Sequence, residues 1–419
     1  MKTITASIIT IGDELLIGQT IDTNSAFIGQ ELNRIGVWLR RRIAVGDVRA
    51  EILQALEEQS RDNDIIIITG GLGPTADDIT KPALCHYFNG RMIVNEEVRQ
   101  NVIGIFERIG RPVTEVNLKQ AEVPDCCTVL PNRRGTAPGM WFEKEGAVVI
   151  SLPGVPHEMK GLITDSVLPG IQERFPLPVI RHRTLLTAGK GESELAAHIR
   201  DLEENLPASI KLAYLPAYGM VRLRLTARGE EETSLVAELD RHFGLLRERV
   251  REWMVIDEDL SLAEALSRLL RERQKTVGTA ESCTGGIIAR MLTEKAGASA
   301  FFQGSVVAYA NSVKQEVLGV PAETLALHGA VSEATVRAMV TGALRSLGSD
   351  YALATSGIMG PDGGTEEKPV GTVWIAVGSR ERIEAQQFRF RFDRGRNIEL
   401  TANAALNLLR RFILQDEPA

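Results

Sequence analysis

The chain has 419 residues, 44% of them apolar and 25% charged, the balance of a folded globular protein; this excludes a disordered or fibrous one. Its 48 basic and 55 acidic residues leave a net charge of −7, so bulk electrostatics argue against nucleic acid as the main ligand. At roughly 150 residues per domain, the length predicts two or three domains. No run approaches the roughly 18–20 apolar residues of a membrane helix. The N-terminus, MKTITASIIT, lacks an export pattern. Four cysteines (Cys85, Cys126, Cys127, Cys283) are too few for a disulfide scaffold, so the expectation is a cytoplasmic protein with reduced thiols. The six histidines form no HxxxH pair and there is no CxxC, so no dedicated zinc site is expected.

The first part alternates strand and helix. Ser7 to Ile11 reads as a strand, Asp22 as the cap of a helix stopped by Gly36, Val37 to Val45 as a strand, and Asp47 to Ser60 as a helix. Asp64 to Thr69 is continuously apolar after its aspartate, the mark of a strand buried on both faces of a parallel sheet. Ala147 to Ser151 is another strand, leading through Leu152-Pro153-Gly154 into a helix near Pro156. Prolines at Phe175-Pro176-Leu177-Pro178 mark a linker. Beyond it lie a strand from Arg181 to Thr187, a helix from Glu192, strands at Ile210–Tyr214 and Met220–Thr226, and a helix from Glu231 to about Arg251. The last part alternates again: a helix from Ser261, then strands near Thr276, Gly304, Tyr351 and Gly371. The predicted fold is therefore two three-layer α/β domains, 1–172 and 253–419, joined by a small α+β unit at 173–252.

Two stretches carry candidate chemistry. Thr69 to Thr80 follows the most buried strand, and Gly70, Gly71 and Gly73, with Thr75, can bring backbone N–H groups against a phosphate. No Walker loop is present, and Asp77 with Asp78 suits a divalent cation bridging to that phosphate, with Mg, Mn or Co the plausible choices where histidines are absent. Ala280 to Gly286, AESCTGG, places Ser282 on a strand-to-helix turn where backbone amides around Thr284, Gly285 and Gly286 can serve an oxyanion. The segment Tyr309-Ala310-Asn311-Ser312-Val313-Lys314 supplies a base: Asn311 or Ser312 would cap a helix whose first turn holds Lys314. That is Ser-Lys chemistry with Tyr309 in support, and it needs no cofactor.

The form GDELL…DTN…GGLGPTxDD…PGVPxEM resembles the molybdopterin-binding MogA/MoaB fold and, more specifically, the N-terminal domain of the CinA family. The resemblance implies a metal-dependent ADP-ribose pyrophosphatase with Asp13, Glu14, Asp77 and Asp78 as its acidic residues; Asn24, Thr75, Asn117 and Glu158 lie on matching segments. The motifs ESCTGG, YANSVK, SGIMGPDGG and EKPVGTV resemble the C-terminal CinA domain of PncC-type nicotinamide mononucleotide deamidases. That likeness implies Ser282, Tyr309 and Lys314 as catalytic residues, with Glu281, Asn311, Gly357 and Gly360 beside the turn's own residues on the substrate side. The family's FxGDR-like segment is replaced by Arg389-Phe390-Arg391-Phe392-Asp393-Arg394-Gly395-Arg396, which leaves either Arg394 or Arg396 as the substrate contact. The middle unit resembles the KH-like insert of the family, yet Gly189-Lys190-Gly191-Glu192 does not match GXXG, so a spacer or dimerisation element is expected.

The leading expectation is a bifunctional pyridine-nucleotide recycling enzyme, acting on nicotinamide mononucleotide and ADP-ribose and, by resemblance, a homodimer. The rivals are a non-enzymatic competence or DNA-repair partner protein, and an N-terminal domain that only binds a pterin or nucleotide.

Overall fold

A computed structural model describes residues 3–75 and 78–416 of the chain. Strands are numbered in chain order. The N-terminal domain holds β1 (Thr5–Ile11), β2 (Trp38–Val45), β3 (Ile65–Thr69), a small antiparallel pair of β4 (Met92–Val94) and β5 (Glu122–Pro124), then β6 (Thr128–Leu130), β7 (Gly139–Lys144) and β8 (Ala147–Leu152). Its main sheet runs β2-β1-β3-β8-β7-β6. The first four strands are parallel, while β7 and β6 add antiparallel edges. This sheet is mixed, where the sequence suggested a parallel one.

Strand β3 explains why the sheet is covered on both faces. Ile65 and Ile67 join one apolar cluster with Ile28, Leu32 and Val167, whereas Ile66 and Ile68 join another with Ile52 and Leu56. Side chains alternate across a strand, so an unbroken isoleucine run must feed two cores. At about 1.5–3 kcal/mol per fully buried isoleucine, these four residues contribute strongly to domain stability. The helix Thr23–Arg34 is capped by the Asp22 carboxylate, which accepts from Ser25 N–H at 2.8 Å, and Gly36, at φ 91°, follows its end.

The middle unit comprises β9 (Val179–Ala188), β10 (Ile210–Ala217), β11 (Met220–Gly229) and β12 (Met254–Ile256), ordered β10-β11-β9-β12, with the helices Glu192–Glu204 and Glu232–Arg249. The C-terminal domain carries β13 (Val277–Glu281), β14 (Phe302–Val307), β15 (Tyr351–Gly357), β16 (Thr372–Gly378) and β17 (Ile383–Arg389), ordered β14-β13-β15-β16-β17. β14, β13 and β15 are parallel, and β16 and β17 are antiparallel. On β15, Tyr351 and Leu353 face the cluster that includes Leu406 and Phe412, and Ala352 and Ala354 face Val336 and Val340. The chain thus folds as two α/β domains with mixed sheets joined by a smaller KH-like α+β unit. By contacts it divides into Met1–Arg181 with Arg228–Leu235, and His182–Ala227 with Val236–Ala419.

Candidate functional site

In the N-terminal domain the carboxyl ends of β1, β3 and β8 meet at a glycine turn. Gly70 (φ 117°) and Gly71 (φ 63°) are obligatory: a Cβ would stand 2.3 Å from the Ile11 carbonyl oxygen at the first and 2.2 Å from Thr80 Oγ1 at the second. The next loop is closed by its own anion. Asp78 accepts from Gly73 N–H at 2.7 Å, from Thr75 N–H at 3.0 Å and from the Thr75 hydroxyl. Gly73 and Thr75 are two of the four residues the sequence assigned to a phosphate, and a carboxylate already holds their donors; the Gly70 N–H donates to the Leu152 carbonyl at 3.1 Å.

Asp13 is engaged too. Its Oδ1 accepts from Asp47 N–H, and its own N–H donates to Asp47 Oδ2, both at 3.2 Å. Glu14 lines a cavity of about 120 Å³ with Thr10, Asp22, Asn24, Thr69 and Gly154. Among the described residues no group of three or more His, Cys, Asp or Glu could hold a metal ion. Asp13 and Asp78 thus already accept hydrogen bonds from neighbouring N–H groups, and Asp77 lies outside the described residues. Asn117 serves elsewhere, in a capping box with Thr114, and Glu158 accepts from Asn132 Nδ2 at 2.6 Å with its pKa raised by burial.

Asn24 stands out at this cavity. Its Nδ2 donates to the Gly154 carbonyl at 2.7 Å and to Thr69 Oγ1 at 3.2 Å, tying the helix Thr23–Arg34 to two strand ends. Its Oδ1 is buried and has no hydrogen-bond partner. A buried acceptor without a donor is costly, about 1–3 kcal/mol, and calls for an explanation.

In the C-terminal domain β13 runs into the turn Glu281–Gly286. Glu281, fully buried, accepts from the N–H groups of Gly286, Ile288 and Ala289 at 2.8–3.1 Å and so caps the helix Ile287–Thr293. Ser282 donates its N–H to the Thr355 carbonyl, and Thr284 shares a hydroxyl contact with Thr355 at 2.8 Å. Thr355 went unnoticed in the sequence because nothing marks a β15 threonine as the partner of a turn 71 residues away. Gly285 (φ 61°) and Gly286 (φ 98°) take the left-handed conformation.

Lys314 is brought near this turn but is occupied. Buried at 1% exposure, its Nζ donates to the carbonyls of Ala308 at 2.8 Å and Tyr309 at 3.0 Å. Burial lowers its pKa and the Cys283 thiol opposes this, while burial pushes Cys283 itself up to about 12. The helix Asn311–Glu316 is preceded by Ala310 as N-cap, without a side-chain cap, so neither Asn311 nor Ser312 plays that part. Tyr309 is 62% exposed, and its hydroxyl accepts from Arg394. Arg394 also donates to the Gly360 carbonyl, and Gly357 packs against Val373 and Met359. Arg396 lies apart, with its guanidinium 4.0 Å from the Phe392 ring centre. Asn397, fully buried, ties Met359 and Phe392 through its Nδ2 and was not foreseen.

Comparison with known proteins decides the family. The chain is 47% identical over 406 residues to a CinA-like protein of Cytophaga hutchinsonii, covering 97% of each chain. This chain belongs to the CinA family. A CinA-like protein of Flavobacterium psychrophilum is 45% identical, over 98% of this chain and 99% of the relative. Residues 7–173 match the family described as "Probable molybdopterin binding domain", 182–254 the "Damage-inducible protein CinA KH domain", and 259–413 the "CinA C-terminal domain". Among solved structures, a CinA superfamily protein of Klebsiella pneumoniae is 42% identical, covering 37% of this chain and 96% of its own, at a TM-score of 0.36.

These findings correct the expectation of a bifunctional enzyme. The full-length CinA relatives carry the descriptions CinA-like protein and putative competence-damage inducible protein, not amidase or pyrophosphatase. The C-terminal domain matches the CinA family's own domain, which does not make it a deamidase. Among the described residues no group of three or more His, Cys, Asp or Glu is placed to hold a metal ion, and the Nζ of Lys314, the expected base, donates hydrogen bonds to two main-chain carbonyls. The comparisons thus support none of the expected hydrolase, nicotinamide-nucleotide amidase or ADP-ribose pyrophosphatase activities. No described helix is long and apolar enough to cross a membrane.

Proposed function

We propose that this CinA-family chain is a competence- or DNA-repair-associated partner protein rather than a catalyst, and that its N-terminal domain holds a pterin or nucleotide without cutting it. The observation that carries the ligand reading is the orphan Oδ1 of Asn24 at the strand-end cavity. Pterin and guanine rings present N–H donors along one edge, and such a donor would satisfy that acceptor. The position supports the same reading, because ligands of open α/β sheets bind outside the carboxyl ends of the strands. The partner reading rests on the damage-inducible CinA description of the middle family and on the CinA relatives.

Titration calorimetry of the full chain with GMP and with a soluble pterin tests the ligand half. Saturable binding, at least about tenfold weaker in Asn24→Ala, is expected, with the ligand recovered intact by mass spectrometry. No binding of either probe, or recovery of cleaved GMP, overturns it. Direct binding to a purified recombination protein of the same cell tests the partner half, and absence of binding removes that half alone.

A further inference from the structure

The β10–β11 hairpin breaks a local rule. Its two turn residues, Tyr218 and Gly219, have φ of 45° and 80°, the pattern of a tight turn that ordinarily takes Asn-Gly or Gly-Gly. A bulky aromatic side chain in the left-handed region is strained, and strain of this kind gathers at binding sites. Tyr218 does not relieve the strain by packing, since it is 49% exposed. Local rules broken without a packing gain point to function.

Behind the turn lies a cavity of about 410 Å³, within the size range of small-molecule sites. One wall is aromatic: Phe388 and Phe390 lie nearly parallel at 14°, with centroids 5.9 Å apart, and Met220 and Tyr218 join the lining. Another wall is the helix Arg394–Gln415, which contributes Asn403, Asn407 and Arg411. Asn403 is buried at 6% exposure; its Nδ2 donates to the Glu399 carbonyl, and its Oδ1 accepts no bond from the described residues. Arg411 is exposed and pairs with no carboxylate among the described residues, and the lining contains no Asp or Glu. None of these residues belongs to the Ser282 turn or to the Asn24 cavity.

We propose that this cavity binds a nucleoside monophosphate. The ring stacks on the Phe388–Phe390 wall under Tyr218, Asn403 and Asn407 meet its polar edge, and Arg411 takes the phosphate. Sequence-tolerant stacking on aromatics, amide recognition of a base edge and a guanidinium for phosphate are the three contacts that class of ligand needs. The unpaired Arg411 in a lining free of carboxylates is what selects a nucleotide, with its anionic phosphate, over a neutral nucleoside.

The test is calorimetry of the full-length chain with AMP, GMP, CMP and UMP, and with adenosine as the uncharged control. At least one monophosphate binds saturably, adenosine at least about tenfold more weakly than AMP if AMP is the ligand, and Arg411→Ala removes that preference. Tyr218→Gly relieves the turn, so it raises Tm while weakening the nucleotide, an outcome that a purely structural tyrosine would not give. Absence of binding for all four monophosphates overturns the proposal. So does binding that survives Arg411→Ala and Tyr218→Gly but is lost in Asn24→Ala, a result that would instead support the N-terminal ligand site. The two sites thus fail independently.

Discussion

The guanidinium of Arg394 donates to the Tyr309 hydroxyl at 3.2 Å and, through its other amino group, to the Gly360 carbonyl at 2.9 Å. The sequence left Arg394 and Arg396 as alternatives two residues apart. At the start of a helix, residues two apart face away from each other, and the fold turns one arginine to the Tyr309 side and leaves the other on Phe392. Arg394→Ala should therefore raise amide hydrogen exchange across residues 357–364, and Arg396→Ala should leave those amides unchanged. Equal exchange in both variants would show that the Gly360 contact does not hold that loop.

Glu281 closes the turn that carries Ser282. Replacing it by alanine strands three N–H groups at a buried helix start, an expected loss on the order of 3 kcal/mol in urea unfolding. Glu281→Gln keeps an acceptor oxygen and should lose clearly less. If the two variants are equally stable, the carboxylate is not the cap.

Two glycine-to-alanine changes should have opposite signs. At Gly70 the new Cβ meets the Ile11 carbonyl at 2.3 Å in a φ of 117°, and the domain should be destabilised by more than 1 kcal/mol. At Gly104, in the helix Glu96–Arg108, nothing lies within 4 Å, and alanine should stabilise by about 0.4–1 kcal/mol. Thermal melts of both variants against the parent give the comparison directly.

Lys81 provides a pH dependence. Burial lowers its pKa from 10.5 to about 8, against the pull of Glu122 and Asp78, and its Nζ donates to the Gln120 carbonyl and side chain. The unfolded chain then binds the proton more tightly than the folded one. The cost of that mismatch is fully present below about pH 8 and disappears as pH rises toward 10.5. It amounts to about 3 kcal/mol at neutral pH. The stability gap between Lys81→Met and the parent should therefore shift in the parent's favour between pH 8 and 10.5, measured by urea titration at each pH. A gap independent of pH would mean that Lys81 is not strained by its burial.

Thiol reactivity should follow exposure. Cys126 is exposed, whereas Cys283 is buried with its pKa pushed up to about 12. Because the thiolate is the nucleophile, iodoacetamide at pH 8 should label Cys126 first and reach Cys283 only on unfolding. Early labelling of Cys283 would place it in contact with solvent.

What could be read from the sequence was what is written locally. Asp22 announces its helix because a short polar side chain before an apolar repeat has one favourable use, and it caps as expected; Ser261, read as the start of its helix, is the N-cap of Leu262–Glu272. The isoleucine run of β3 could likewise belong only to a doubly covered strand. The antiparallel direction of β6, β7, β16 and β17 was not legible, since strand direction depends on connections rather than on residue pattern. The surroundings of the candidate site residues were not legible for a related reason. Gly73, Thr75 and Asp78 suggest an anion cradle with a metal carboxylate, but only the fold shows the carboxylate lying in the cradle. Lys314 suggests a free base, but the carbonyls that claim its protons belong to Ala308 and Tyr309, whose orientation no spacing rule specifies.

The four isoleucines of β3 also leave the strand's alignment undetermined by hydrophobicity. Moving it one position would turn every side chain to the opposite face, yet both faces would still receive isoleucine. The alignment must be set by the polar residues at the two ends. Asp64 Oδ2 accepts from the N–H and hydroxyl of Thr5, at 2.9 and 3.0 Å, and the Thr69 hydroxyl donates to the Pro153 carbonyl at 3.0 Å. A slip would pull both pins at once and carry the glycine turn out of reach of Asn24. In this domain, the position of the ligand cavity is therefore fixed by an aspartate at the far end of the strand, five residues from the threonine that Asn24 touches.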